Sequence, residues 1–251
     1  MKKWLLQPAS AQDITRLLLA WRLWLLGAVL GALLGGLAYL IIPPVFRAQA
    51  TVVVDTNMEQ AWPDAQSDRD LFTYLSRETS KLVEVAWSDA TVQTVVDQVP
   101  GTSITALRDH DLHLSQPGDG VWHFYADDPN PARAAQKAAA WASAFTGQAR
   151  QGVAIATQLD AAHAALNAGL SPSEAETLEA EIQQLESQAR GISPYLAVSL
   201  SQGEQLPVER TVGLGTYLII GIVAGFVLAA CVVLFLGQGG VLVSGHGGAT
   251  E

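Results

Sequence analysis

LWLLGAVLGALLGGLAYLII at 23–42 and GLGTYLIIGIVAGFVLAACVVLFL at 213–236 decide how the rest of this chain is read. The first run is 20 residues long and the second 24, and neither contains Asp, Glu, Lys or Arg. A helix needs about 20 apolar residues to cross the hydrocarbon core of a bilayer. Neither run alternates apolar with polar residues, as a half-buried strand would. Both are therefore expected to be transmembrane helices, with 43–212 between them forming one domain on one side of the bilayer.

Charge orients the arrangement. Lys2, Lys3, Arg16 and Arg22 precede the first run against one acid, Asp13, whereas 237–251 contains no Lys or Arg. Basic flanks stay in the cytoplasm. The expected layout is a cytoplasmic leader with an interfacial helix over 1–22 and spans over 23–42 and 213–236. An extracytoplasmic α+β domain then covers 43–212, and a flexible Gly-rich cytoplasmic tail covers 237–251. The chain would cross the cell membrane twice, with both termini inside. A cleaved signal sequence is the rival reading of the first run, with Ala48 and Ala50 as the small residues of a cleavage site. Its apolar stretch, however, exceeds the roughly 7–15 residues usual for a signal.

Residues 43–212 hold 22 acidic and 10 basic side chains, a net charge of −12. A domain so acidic offers no general basic field for nucleic acid or for anionic lipid. The single cysteine, Cys231, falls in the second run, so neither an intrachain disulfide nor a cysteine-based metal site is available.

Between the runs the pattern changes repeatedly. Pro43 and Pro44 stop the first helix. VFRAQATVVVD at 45–55 is rich in β-branched residues and reads as a strand. Leu71, Leu75, Leu82, Val85 and Ala86 recur at helical spacing over 69–87. Ser88 and Asp89 begin a second helix over 90–99, which Pro100 and Gly101 close. DLHLSQ at 111–116 and VWHFYA at 121–126 flank Pro117–Gly120 as a β-hairpin. Pro129 and Pro131 introduce a long Ala-rich helix over 132–167, and Ser171 and Pro172 start another. These two make a helical hairpin, and YLAVSLS at 195–201 follows as a last strand. The expected fold is a membrane α+β protein: two transmembrane helices flank a domain with a small mixed sheet and a helical hairpin.

Gly27, Gly31 and Gly35 recur every four residues in the first run, and Gly221 and Gly225 do so in the second. Such stripes let helix backbones approach closely in lipid. They are expected to be packing faces, either within one chain or between copies. Neither run carries a charge, which gives no sign of an ion path or proton relay.

Candidate chemistry elsewhere is sparse. His110, Asp111, His113 and His123 are the residue types that bind zinc, but strand alternation sends His110 and His113 to opposite faces. Asp127 and Asp128 are acids at the start of the long helix, where carboxylates meet free N–H groups. No serine lies in GxSxG. Glu174, Glu176, Glu179, Glu181 and Glu186 read as a solvated helix face. In an oligomer, that face would meet Arg133, Lys137 or Arg150 of a neighbour. Trp62, Trp122 and Tyr125 are the aromatics able to stack on sugars, with burial in the core as the commoner fate. No catalytic residue, cofactor or metal ligand is assigned, and the chain is read as non-enzymatic.

Four motifs carry a family resemblance. DITRLLLAWR at 13–22 resembles the short helix that certain two-span proteins place before their first span. FRAQATVVV at 46–54, with Arg47 and Ala48, is similar to their first strand. DDPNPARAA at 127–135, with Asp127, Asp128, Pro129 and Ala132, looks like their acidic-proline-alanine junction. Pro207, ahead of the glycine-bearing second run, resembles their proline-marked approach to the second span. The family is the polysaccharide co-polymerases, the Wzz-type chain-length determinants.

The resemblance implies a homo-oligomeric, non-catalytic scaffold in the cell membrane. Its partner would be a polysaccharide polymerase or exporter, and it would set the length of a surface lipopolysaccharide or exopolysaccharide. Some members fuse to a cytoplasmic tyrosine kinase. This chain has no GxxxxGK[ST] loop to cradle phosphates, so it is not itself that kinase. The alternatives are an adaptor activating a separate tyrosine kinase and a two-span extracytoplasmic sensor.

Overall fold

The computed structural model describes residues 21–57, 60, 71–118, 120–169, 171–201 and 206–243, with side chains of the last helix described through residue 233. The leader motif at 13–20 and Trp62 lie outside the described residues. The chain divides into two compact units: the two long apolar helices, and the mixed helix-and-sheet domain Val45–Arg210.

The apolar helices are α1, Trp21–Ile41, and α7, Leu214–Val243. Both are long and apolar enough to cross a membrane. The expected second span ends at 236 with a loose tail after it, but α7 continues to Val243. No proline or charge interrupts 237–243, and Val241, Leu242 and Val243 extend the apolar run past the glycines. Glycine weakens a helix by only about 1 kcal/mol per residue and does not by itself end one.

In the domain, β1 (Phe46–Thr56) is the central strand. On one side it pairs with β3 (Val121–Asp128), which pairs in turn with β2 (Leu112–Ser115). Its other side is shared. β5 (Val208–Arg210) covers Phe46–Ala48, and β4 (Leu196–Leu200) covers Val52–Thr56. The amides of Gln49 and Ser201 bridge the gap, donating to the carbonyls of Pro207 and Thr51 at 3.1 and 2.9 Å. The expectation of a mixed sheet is corrected: every pairing is antiparallel. β3 and β4 run the same way, but β1 lies between them, so no parallel neighbours arise.

Among the described residues, helices cover one face of the sheet. These are α2 (Leu71–Ala86), α3 (Asp89–Gln98) and the short α4 (Ile104–Ala106), which passes into a π-helical turn at Leu107–Asp111. Then come α5 (Pro131–Asn167) and α6 (Pro172–Gln188), the expected helical hairpin. Strand alternation sends Ala48, Ala50 and Val52 of β1, and Trp122, Phe124 and Ala126 of β3, into the core. α5 meets them with Ala134, Ala138, Trp141, Ala142, Phe145 and Ala149, all fully buried. The small residues on both surfaces let the helix lie close, and Trp141 fills the space between layers. Its indole N–H donates to the Ala86 carbonyl at 2.8 Å, which satisfies the one polar atom it buries. Trp122 stacks on Phe145 with ring centroids 5.5 Å apart, so it is core and not a sugar platform.

One weak point in α5 is correctable. Gly147 is exposed, and nothing lies within 4 Å of where a Cβ would stand. Gly147→Ala is expected to stabilise the domain by about 0.5–1 kcal/mol by removing glycine's backbone entropy from a helix interior. Thermal unfolding of the solubilised chain, followed at 222 nm, checks this; a lowered midpoint would contradict it.

Candidate functional site

Asp127 and Asp128 are neighbours on β3, so their side chains leave opposite faces of the sheet. Asp127 faces outward and lies directly across from Arg47 of β1. The Arg47 Nε and Nη2 donate to its two carboxylate oxygens at 2.7 and 2.6 Å, a bidentate geometry. His113 Nε2 of β2 is 3.3 Å from the same carboxylate, and the Arg47 guanidinium lies 5.8 Å from the centre of the Tyr125 ring. Next along this face, His123 Nδ1 is 2.9 Å from Gln49 Nε2 and 3.3 Å from Thr51 Oγ1.

Asp128 faces inward and is buried. The Lys137 ammonium of α5 donates to Asp128 and to Asp111 of the π-helical turn, both at 2.7 Å. It also reaches the Asp127 carbonyl at 3.4 Å. Arg133 Nε stands 3.6 Å from Asp128, and the Asn130 amide donates to it at 2.8 Å. Burial opposes ionisation of Asp128. The Lys137 hydrogen bond, the Asn130 N–H and the charges of Lys137 and Arg133 outweigh burial and hold the carboxyl below its ordinary value.

Asp128 meets a free N–H at the entry to α5, that of Asn130, but neither aspartate is the N-cap itself. Asn130 caps the helix, its side-chain oxygen accepting from the amides of Ala132 and Arg133 at 2.9 and 3.4 Å. Pro131 follows at the first turn, where the missing N–H costs nothing. Asp127 and Asp128 instead tie β3 to β1 on one face and to α5 on the other.

The motif positions thus converge from distant parts of the chain. Ala48, fully buried, lies opposite Ala126 on one side and Val208 on the other. Pro207 offers its carbonyl to Gln49 beside them. Pro129 and Ala132 form the exposed turn into α5. The arrangement is a charged clasp joining β1, β3, α5 and the π-helical turn.

Lys137 is the member that sequence reasoning missed. Its signal was available: Lys137 sits three residues after Ala134 and four before Trp141, on the stripe that faces the core. A lysine on an apolar stripe needs buried carboxylates. Of the three cations set against the acidic helix of a neighbour, Lys137 is buried and held by Asp111 and Asp128, which removes it from any such contact, while Arg133 and Arg150 stay accessible and also have partners in this chain. Arg133 reaches the Pro100 carbonyl as well as Asp128, and Arg150 Nε donates to the Val198 carbonyl at 2.9 Å.

The histidines considered as zinc ligands go to separate places. His110 lies in the π-helical turn, His113 and His123 face outward on different strands, and Asp111 is held by Lys137. Among the described residues no three such side chains gather to hold a metal ion.

The glycine stripes meet each other within one chain. A Cβ on Gly31 would run into the carbonyl oxygen of Gly221, and one on Gly225 into that of Gly27. A Cβ on Gly35 would strike the Tyr217 carbonyl, and Gly221 is blocked in turn by Gly31. α1 and α7 therefore touch backbone to backbone in an antiparallel pair. Trp24 packs edge-on to Phe226 with centroids 5.0 Å apart, and Tyr39 to Tyr217 at 5.6 Å. Against this geometry, no protein-family model matches the chain, and no curated protein matches its sequence.

Proposed function

We propose that this chain is a two-span membrane scaffold of the polysaccharide co-polymerase kind, which regulates the length or export of a surface polysaccharide without catalysing sugar transfer. The observation that carries the reading is the pairing of the domain's first and last strands, with Phe46 opposite Arg210. The chain enters and leaves the domain side by side, as a domain carried on two adjacent spans requires. The outward surface of the helix pair supports the same reading. Leu33 and Leu34 on α1 and Leu228 on α7 are each 65% exposed, a liability in water and a match to lipid.

In this reading both termini are cytoplasmic and the domain is extracytoplasmic. The chain assembles with copies of itself and acts beside a polymerase or exporter. An assembly of such domains would bias a growing polymer between extension and release. Deleting the chain is expected to shift the modal polymer length while total sugar incorporation is retained, read by gel profile and by sugar analysis of the same cells. An unchanged length profile would sink the scaffold reading. Lost phosphorylation of a cytoplasmic tyrosine kinase with polymer length unaltered would favour the adaptor instead.

A further inference from the structure

A cleft of about 350 Å³ opens on the domain between α2, α5 and the segment that joins α6 to β4. This is within the size range of small-ligand sites, about 300–1,000 Å³. Its floor is the buried Gly152 of α5, where a Cβ would stand 2.5 Å from the end of Ile192. The absence of a side chain there lets the joining segment cross α5 at close range and leaves the cleft walls to either side.

The walls are set in place before any ligand arrives. Lys81 Nζ donates to Glu78 at 2.6 Å and to the Gly191 carbonyl at 2.5 Å, which ties α2 to the joining segment. Gly191 holds φ +66°, a conformation that favours glycine, so the carbonyl is aimed by the turn itself. Arg190 Nη1 is 3.4 Å from Ser88 Oγ. Tyr74 and Tyr195 bring two aromatic rings to the lining, and Asp160 adds a second, exposed carboxylate. A second hollow of about 400 Å³ adjoins the first through Gly152, Ala189 and Arg190, with Gln148, Gln151 and Gln188 in its lining.

These side chains narrow the ligand class. Two carboxylates and two cations leave the first cleft without a dominant sign, which disfavours a polyanion such as nucleic acid. Carboxylates, amides and guanidinium groups make paired hydrogen bonds to neighbouring hydroxyls. Tyrosine rings give an apolar face with a polar edge, suited to the C–H face of a sugar ring.

We infer that this cleft and the hollow beside it bind a short oligosaccharide of neutral or zwitterionic character. The identification of that oligosaccharide as a stretch of the regulated polymer rests on the scaffold reading above; the binding chemistry does not.

The test uses the full chain in lipid nanodiscs, because maltoside detergents carry a competing sugar. The probe is oligosaccharide fragments from partial hydrolysis of the surface polysaccharide of the cells that carry this chain, titrated by calorimetry. Tyr195→Ser and Asp160→Asn alter exposed positions and are expected to leave the melting profile unchanged. Each is expected to weaken binding about tenfold. Absence of saturable binding to the unaltered chain, or equal binding by both variants, overturns the inference. The same variants are returned to a deletion strain. If deletion alters polymer length and the variants restore it fully while binding equally, the cleft assignment falls and the scaffold reading stands. If deletion leaves length unaltered yet fragments bind and the variants lose them, the cleft stands and the scaffold reading falls.

Discussion

Lys137→Met is expected to destabilise the domain by about 3–5 kcal/mol, the cost typical of removing one partner from a buried ion pair. The lysine side chain is 4% exposed and the Asp128 side chain 8%, so water cannot replace the partner that Asp128 loses, whereas Asp111, at 26%, keeps some hydration. Methionine fills a similar volume, which keeps the cavity contribution small. The cost comes instead from two carboxylates, Asp111 and Asp128, left facing each other's charge. Chemical unfolding of the detergent-solubilised chain, followed by near-UV dichroism of the buried tryptophans, gives the difference. A loss below about 0.5 kcal/mol would show that the clasp adds nothing to stability.

The same cluster sets a pH dependence with a definite sign. Folding lowers the Asp128 pKa from its ordinary 3.8, so between the two values the unfolded chain binds more protons than the folded one. The stabilisation is fully present above about pH 4 and is lost as pH falls through the folded value. Asp128→Asn is expected to flatten this acid limb and to be less stable than the unaltered chain at pH 7. An acid limb of unchanged size in that variant would move its origin to other carboxylates.

Gly31→Leu is expected to force α1 and α7 apart, at a cost of about 3 kcal/mol, the upper part of the overpacking range. The atom in the way is the backbone carbonyl oxygen of Gly221, which no rotamer change can move. Both helix backbones would have to separate, losing the backbone-to-backbone packing between them. Gly36→Ala is the matched control, since its Cβ would meet only the Leu218 side chain at 3.8 Å. Spin labels at Leu33 and Val223, both outward-facing, report the outcome through their distance distribution in nanodiscs. A narrow distribution in wild type and Gly36→Ala should broaden and lengthen in Gly31→Leu. Identical distributions in all three would show that the stripes do not hold the pair.

Local features of the fold were legible because local rules produce them. β1, β3, α5 and α6 fall within a few residues of their expected bounds, since β-branched runs, strand alternation, proline and serine at helix starts, and helical periodicity act over short distances. β5 was not legible: three residues, Val208–Arg210, carry no periodicity and are extended only because β1 is there to pair with. The π-helical turn was missed for the same kind of reason. It is held where Asp111 meets Lys137, 26 residues away. At the junction, Asp127 and Asp128 drew attention as charges near a helix start. Their actual partners, Arg47 and Lys137, are selected by sheet pairing and helix packing, which composition does not encode.

By itself, then, the sequence determined two helices long and apolar enough to span a membrane and the α+β succession between them. It also determined the glycine stripes, because hydropathy, periodicity and turn chemistry are properties of adjacent residues. Only the tertiary structure decided that the sheet is antiparallel throughout and that the glycines of α1 close on those of α7 within one chain. The splitting of two consecutive aspartates between opposite faces, one paired to Arg47 and the other to a buried lysine, was likewise decided there. Those outcomes depend on which distant surfaces meet, and that is fixed by shape and charge complementarity after the local elements have formed.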